Sequence, residues 1–226
     1  MSWNECLYWY AQDRDGTYFG LKKEENEGAL LLEDPKGPIL ICVQVTYSGQ
    51  YGTHRDVTVR TRAELERPYA LSIKKQSSLR GGVNRVLGGL ERGAQALGRK
   101  TELTPDYGAP ELADDRGIKT NEPEFTRWVL QSRELRELLE AQPDFWVQVS
   151  PVGPEERIHL VEAQVSMEQE VSMRDEVFGL FDEMDQEARR KEYEDCGFPR
   201  QLDALVELAR AARDAVTAWP MPIKTR

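Results

Sequence analysis

In "HRDVTVRTR" (54–62), Val57 and Val59 alternate with Asp56, Thr58 and Arg60. That period of two puts one face of a strand into a core and the other toward solvent. "PYALSIKK" (68–75) repeats the pattern with Tyr69, Leu71 and Ile73. "PILICVQVTYSG" (38–49) is a continuous apolar run behind the breaker "DPKGP", and "GALLLED" (28–34) precedes that breaker. "CLYWYA" and "GTYFGLKK" are aromatic-rich and flank the turn-like "QDRDG", which predicts two further strands. Residues 1–75 thus read as a β-rich, antiparallel, meander-like region.

The period then changes. "GIKTNEPEFTRWVLQSRELRELLEAQP" (117–143) predicts helix in two pieces. Asn121 is the expected N-cap of the first, with Pro123 in its first turn. Ser132 is the expected N-cap of the second, and Leu135, Leu138 and Leu139 form its apolar stripe. "DFWVQVSP" and "ERIHLVEAQV", joined by "VGPE", predict a β-hairpin. Phe145, Val147 and Val149 should share one face with Val161, Ala163 and Val165.

Beyond residue 170 two amphipathic helices are expected, separated by "CGFPR". The first (172–195) has Ser172 as N-cap, Asp175 in its first turn, and an apolar side of Val177, Leu180, Phe181, Met184 and Ala188. The second (199–219) carries Leu202, Leu205, Val206, Ala209, Ala212 and Val216 on one stripe. The fold class that follows is α+β: an antiparallel β-rich N-terminal region, a central helix plus β-hairpin, and a C-terminal antiparallel helical pair. The expected divisions are 1–75, an irregular 76–117, 118–170 and 171–226, packed as one body or two subdomains.

The irregular division contains "LRGGVNRVLGGLERGAQALGRK" (79–100), where Arg80, Arg85, Arg92, Arg99 and Lys100 face a single Glu91. Its glycines fit neither GxxxxGK followed by Ser or Thr nor GxGxxG, so a phosphate cradle is not indicated. Leu79, Val83, Val86, Leu87, Leu90, Ala94 and Leu97 recur at helical steps. A basic amphipathic helix of this kind suits an acidic partner or a membrane surface, and the alternative is a flexible excursion or a weak helix packed on the acidic body of the same chain. Its six glycines oppose helix formation at about 1 kcal/mol each in a helix interior. The five cations are nevertheless the best partner-binding residues the sequence offers.

Composition narrows the function classes. A chain of 226 residues with 39% hydrophobic and 31% charged residues has the balance of a globular protein able to bury a core unaided. Its formal net charge of −10 argues against a broad nucleic-acid surface, where phosphate contacts dominate affinity. The opening "MSWNECLYWYAQDRDG" lacks a basic region followed by an apolar core, so no secretion signal is predicted there. No apolar run is long enough to span a bilayer. Cys6, Cys42 and Cys196 are odd in number and widely spaced. They suggest a reducing, cytoplasmic setting and neither zinc nor a disulfide framework. Cys42, inside "PILICVQV", is expected to be a buried small hydrophobe.

Catalytic signatures are sparse. His54 and His159 stand far apart in predicted strands, without GxSxG or HExxH, and are expected to face solvent. The acidic run "FDEMDQE" (181–187) has no glycine to turn an EF-hand loop and reads as a solvated helix face. Pro143-Asp144 followed by Glu162-Ala163-Gln164 resembles the PD…(D/E)xK arrangement of metal-dependent nucleases, with Gln164 where that family has lysine. The resemblance implies Asp144 and Glu162 as magnesium ligands activating water, with Gln164 beside them. No motif indicates a cofactor. The expected function is a non-enzymatic interaction or structural module that binds a protein partner or itself. The alternative is a metal-dependent hydrolase.

Overall fold

A computed structural model describes residues 3–20, 28–48, 52–75, 107–152, 157–167 and 186–221. They form an antiparallel sheet of eight strands and six helices, a mixed α+β fold. The elements are α1 (Trp3–Asp13), β1 (Thr17–Phe19), β2 (Ala29–Leu32), β3 (Ile39–Ser48), β4 (Gly52–Glu64) and β5 (Leu71–Lys75). They continue with α2 (Pro110–Asp115), β6 (Arg116–Thr120), α3 (Pro123–Val129) and α4 (Arg133–Ala141). The last four are β7 (Trp146–Val152), β8 (Ile158–Met167), α5 (Gln186–Asp195) and α6 (Phe198–Thr217). Among the described residues no helix is long and apolar enough to cross a membrane.

The chain divides into two compact units. One comprises residues 1–62 and 162–209, the other 63–161 and 210–226.

In the first unit the strands follow one another as hairpins, β1-β2-β3-β4, with β8 next to β4. Leu30 pairs with Ile41, and Ile41 with Val59; all three are buried, with Ile39, Val43 and Val57. Alternation along each strand builds this apolar face, as the sequence pattern predicts. Cys42 departs from its expected place: it lies between Ile41 and Val43, so the pleat turns it to the opposite face, where it is half-buried. Thr58 also departs from simple alternation and is buried.

α1 corrects the strand expected for "CLYWYA". Its buried residues Cys6, Leu7, Tyr10 and Ala11 recur at helical spacing, and α1 packs on β1 and β2. The helix stops in a left-handed cap. Asp15 has φ of 49°, and Gly16 N–H donates to Ala11 O at 2.8 Å. A Cβ at Gly16 would lie 2.7 Å from side-chain carbons of Leu30 and Leu32, so a larger residue would force these buried leucines to shift.

α5 and α6 form the expected C-terminal helical pair. Gly197, at φ of 73°, ends α5 in the left-handed conformation that glycine adopts without strain. The α6 stripe is buried as expected, from Leu202 to Val216. Ala188 on α5 is exposed, contrary to expectation. Ser172, Asp175, Val177, Leu180, Phe181 and Met184 lie outside the described residues, as does most of the acidic run.

In the second unit the order is β8-β7-β5-β6. Leu71 pairs with Val149 and Ile73 with Val147 on one side of β5, and with Thr120 and Ile118 on the other. Residues 117–120, expected to lead into the first helical piece, instead belong to β6. Asn121 does not cap α3: its side chain accepts from Ala70 N at 2.8 Å, and the residue before Pro123 is Glu122, with no side-chain cap bond. Ser132 does cap α4, accepting from Leu135 N at 3.4 Å.

Candidate functional site

Asp144 sits in the turn before β7, exposed, and forms an ion pair with Lys75. Glu162 lies on β8, with Oε1 2.8 Å from Arg60 Nε on β4. Gln164 shares the half-exposed face of β8 with Glu162, while Val161, Ala163 and Val165 are buried. The hairpin alternation is therefore as the sequence predicts. Each of the two carboxylates is held by its own cation, and the two belong to different units. Among the described residues, no three His, Cys, Asp or Glu side chains gather into a set able to hold a metal ion. Arg80, Arg85, Arg92, Arg99 and Lys100 lie outside the described residues.

His159 overturns the solvent-facing expectation. It is fully buried in the second unit, and Tyr69 N–H donates to its Nε2 at 2.9 Å. Nε2 is then an unprotonated acceptor, so Nδ1 carries the proton and donates to Arg157 O at 2.9 Å. Burial lowers the imidazole pKa, opposed by the bond to Arg157. Both nitrogens are engaged by backbone, which makes His159 a structural tie between β8 and the segment entering β5. Tyr69 extends the tie: its hydroxyl meets Thr126 Oγ1 at 2.9 Å, and its ring meets Phe125 edge-on at 4.8 Å.

Arg116, the first residue of β6, is buried. Its guanidinium donates to the carbonyls of Leu139 at 2.6 Å, Gln142 at 2.7 Å and Phe145 at 2.5 Å. Leu139 and Gln142 stand at the end of α4, where helix carbonyls lack intrahelical partners and a cation suits the helix dipole, and Phe145 O lies just before β7.

In the first unit, polar chemistry concentrates between α1, α5 and α6. Asp203 Oδ1 accepts from the Tyr10 hydroxyl and from Arg14 Nε, each at 2.8 Å. The Arg14 guanidinium also lies 3.9 Å above the Tyr10 ring. Arg189 reaches Glu5 at 2.8 Å, and Arg190 reaches Asp13 at 2.6 Å. Burial pushes the Tyr10 and Tyr193 hydroxyls well above the usual phenol range. At the junction of α5 and α6, the half-buried Cys196 thiol donates to Tyr193 O at 3.0 Å.

No family model matches the chain, and no curated protein or solved structure matches it either.

The second unit carries a different surface. Trp128 on α3 and Trp219 just beyond α6 meet with ring centroids 6.2 Å apart, tilted by 57°. They remain 36% and 45% exposed. Two large indoles that support one another while facing water form an apolar patch with two N–H donors. Tryptophan is the side chain most enriched at the energetic centre of protein interfaces. No positional pattern in the sequence singles out this pair, because Trp219 reaches Trp128 from the other end of the unit.

Proposed function

We propose that this protein is a non-enzymatic interaction module of the cytoplasm that binds a protein partner through the surface containing Trp128 and Trp219. The exposed indole pair carries this reading. Each ring presents large contact area with few rotatable bonds, and each has already lost part of its rotamer freedom to the other, which lowers the cost of binding. The net charge of −10 favours a partner whose rim is basic and disfavours like-charged copies of the chain. Arg80, Arg85, Arg92, Arg99 and Lys100 supply a second, oppositely charged contact for an acidic part of the same partner. Three widely spaced cysteines support a reducing compartment.

The test is affinity capture from the native host extract with quantitative mass spectrometry. It compares the full chain, a Trp128→Ala/Trp219→Ala variant and a chain lacking residues 79–100. The wild type should retain one protein in stoichiometric amount, and the double variant should retain it at least about tenfold less, with an unchanged circular dichroism spectrum. Loss of one interface tryptophan in a hot spot is worth about 2 kcal/mol or more. Equal capture by wild type and double variant would remove the indoles from the interface. Equal capture by the deletion would remove the basic segment.

A further inference from the structure

β6 is the last strand of the sheet, with β5 on one side and no strand beyond it among the described residues. Asn121 N–H donates to Ala70 O at 3.2 Å, next to the pair Thr120–Leu71. Hydrogen-bonded pairs alternate along an antiparallel ladder. Gly117 and Lys119 therefore bond to β5, while Ile118 and Thr120 turn N–H and C=O outward. Arg116 N–H, which also points outward, is taken by Leu112 O at the end of α2. Among the described residues nothing takes the main-chain groups of Ile118 or Thr120. An unpaired edge of this kind is a template for another strand.

The flanking side chains define what that strand carries. On the core side, Val147, Ile73 and Ile118 form one row across β7, β5 and β6. Val147 and Ile73 are fully buried, whereas Ile118 is half-buried, so the row reaches the edge with room for one more apolar residue. On the opposite face Lys119 is exposed, and no acid pairs with it among the described residues. Lys74 lies diagonal to it across the ladder, within reach of the same ligand. Its Nζ stands 3.7 Å from the centroid of the Trp146 ring, which steadies the ammonium over this face. Lys74 pairs with Gly117, so a residue added opposite Gly117 meets no side chain on its way to Lys74. Asp115 and Glu122 stand at the two ends of β6 and confine the favourable places for acids to its centre.

We propose that the open edge of β6 binds an extended segment of a partner protein, paired antiparallel, whose centre runs acid–apolar–acid. The apolar residue lies opposite Ile118, exchanges main-chain hydrogen bonds with it and lengthens the row of Val147, Ile73 and Ile118. The two acids lie opposite Lys119 and Gly117 and meet the ammonium groups of Lys119 and Lys74. The site shares no residue with the indole pair and stands whether or not that pair binds. The chain itself is a poor occupant. Segment 79–100 would bring five cations, Arg80, Arg85, Arg92, Arg99 and Lys100, toward Lys74 and Lys119. A second copy paired about Ile118 would set its own Lys119 opposite Gly117, beside Lys74.

The test is fluorescence anisotropy with full-length protein and a labelled synthetic peptide carrying Glu-Val-Glu between serine and threonine flanks. A Lys-Val-Lys peptide is its counterpart. Wild type should bind the acidic peptide saturably and at least about tenfold more tightly than the basic one. Lys74→Glu/Lys119→Glu should reverse that preference with an unchanged circular dichroism spectrum. N-methylation of the valine, whose N–H donates to Ile118 O, should weaken binding at least about tenfold. N-methylation of the glutamates, whose N–H groups point away from β6, should leave it intact. Trp128→Ala/Trp219→Ala should bind the peptide as wild type does. Absence of saturable binding by wild type, or equal affinity of the two N-methylated peptides, would overturn the proposal. Loss of the peptide in the double indole variant would move the site to those rings and overturn it as well. Binding seen only after deletion of residues 79–100, or a wild-type dimer that the peptide fails to dissociate, would assign the edge to the chain itself and do the same.

Discussion

Replacing Arg116 with Met removes three hydrogen bonds while keeping most of the side-chain volume. The bonds to Leu139 and Phe145 are buried and that to Gln142 is partly buried. Water can re-solvate Gln142, so its loss costs little. The other two carbonyls would be orphaned, at about 1–3 kcal/mol for each unsatisfied buried group. Against this stands the cost of burying a guanidinium, whose pKa burial lowers, and which Met would relieve. The net expectation is destabilisation by about 2–4 kcal/mol. For a chain of this size that is a drop in Tm of roughly 4–16 °C. Arg116→Lys keeps the charge without the planar fork that spans three acceptors, and should recover about half of the loss. Urea unfolding followed by circular dichroism and tryptophan fluorescence measures both variants. An Arg116→Met protein within about 0.5 kcal/mol of wild type would show that desolvation outweighs the bonds. A fully stable Arg116→Lys would show that charge alone suffices.

Two further outcomes follow from the same unit. His159 has a lowered pKa in the folded state, so above its ordinary value of about 6.5 it is neutral folded and unfolded alike. As pH falls below that value the unfolded chain takes up the proton first, and stability is lost until pH passes the folded-state value. His159→Gln, which keeps an acceptor for Tyr69 N–H, should flatten this slope in unfolding series at pH 7.5, 6 and 5; an unchanged slope would assign it to other groups. Ser132→Ala should lower the urea midpoint by an amount equivalent to about 0.5–1 kcal/mol, the low end for an N-cap, because its bond to Leu135 N is long at 3.4 Å.

Much of the architecture is legible in the period of the sequence. Strands β4, β5, β7 and β8 bury the alternate residues expected, and α6 buries the expected stripe. The failures have identifiable causes. Tyr8, Trp9 and Tyr10 have high β-propensity, yet the Leu7–Tyr10–Ala11 spacing and packing on β1 and β2 make α1 a helix. β6 carries Gly117 and Lys119, poor strand formers, and owes its conformation to the ladder with β5. Asn121 has the chemistry of a cap, but Ala70 N–H and Pro68 O take its side chain. The buried His159 and the indole pair each depend on partners distant in sequence. Residue type hints at such groups, but only tertiary structure pairs them.

The boundaries between the two units fall after Arg62, Val161 and Ala209, so neither unit is a continuous stretch of chain. During synthesis α1 and β1–β4 leave the ribosome well before β8, α5 and α6. At roughly 5–20 residues per second, the intervening segment of about 100 residues imposes a wait of roughly 5–20 s. Throughout that interval Leu7, Leu30, Ile41 and Val59 lack the later elements of their unit. A nascent chain of this design is a natural client for chaperones that shield apolar surface. The same threading means that a cut after Val161 leaves neither unit complete, whereas a cut after Arg62 or after Ala209 leaves one unit complete and splits the other.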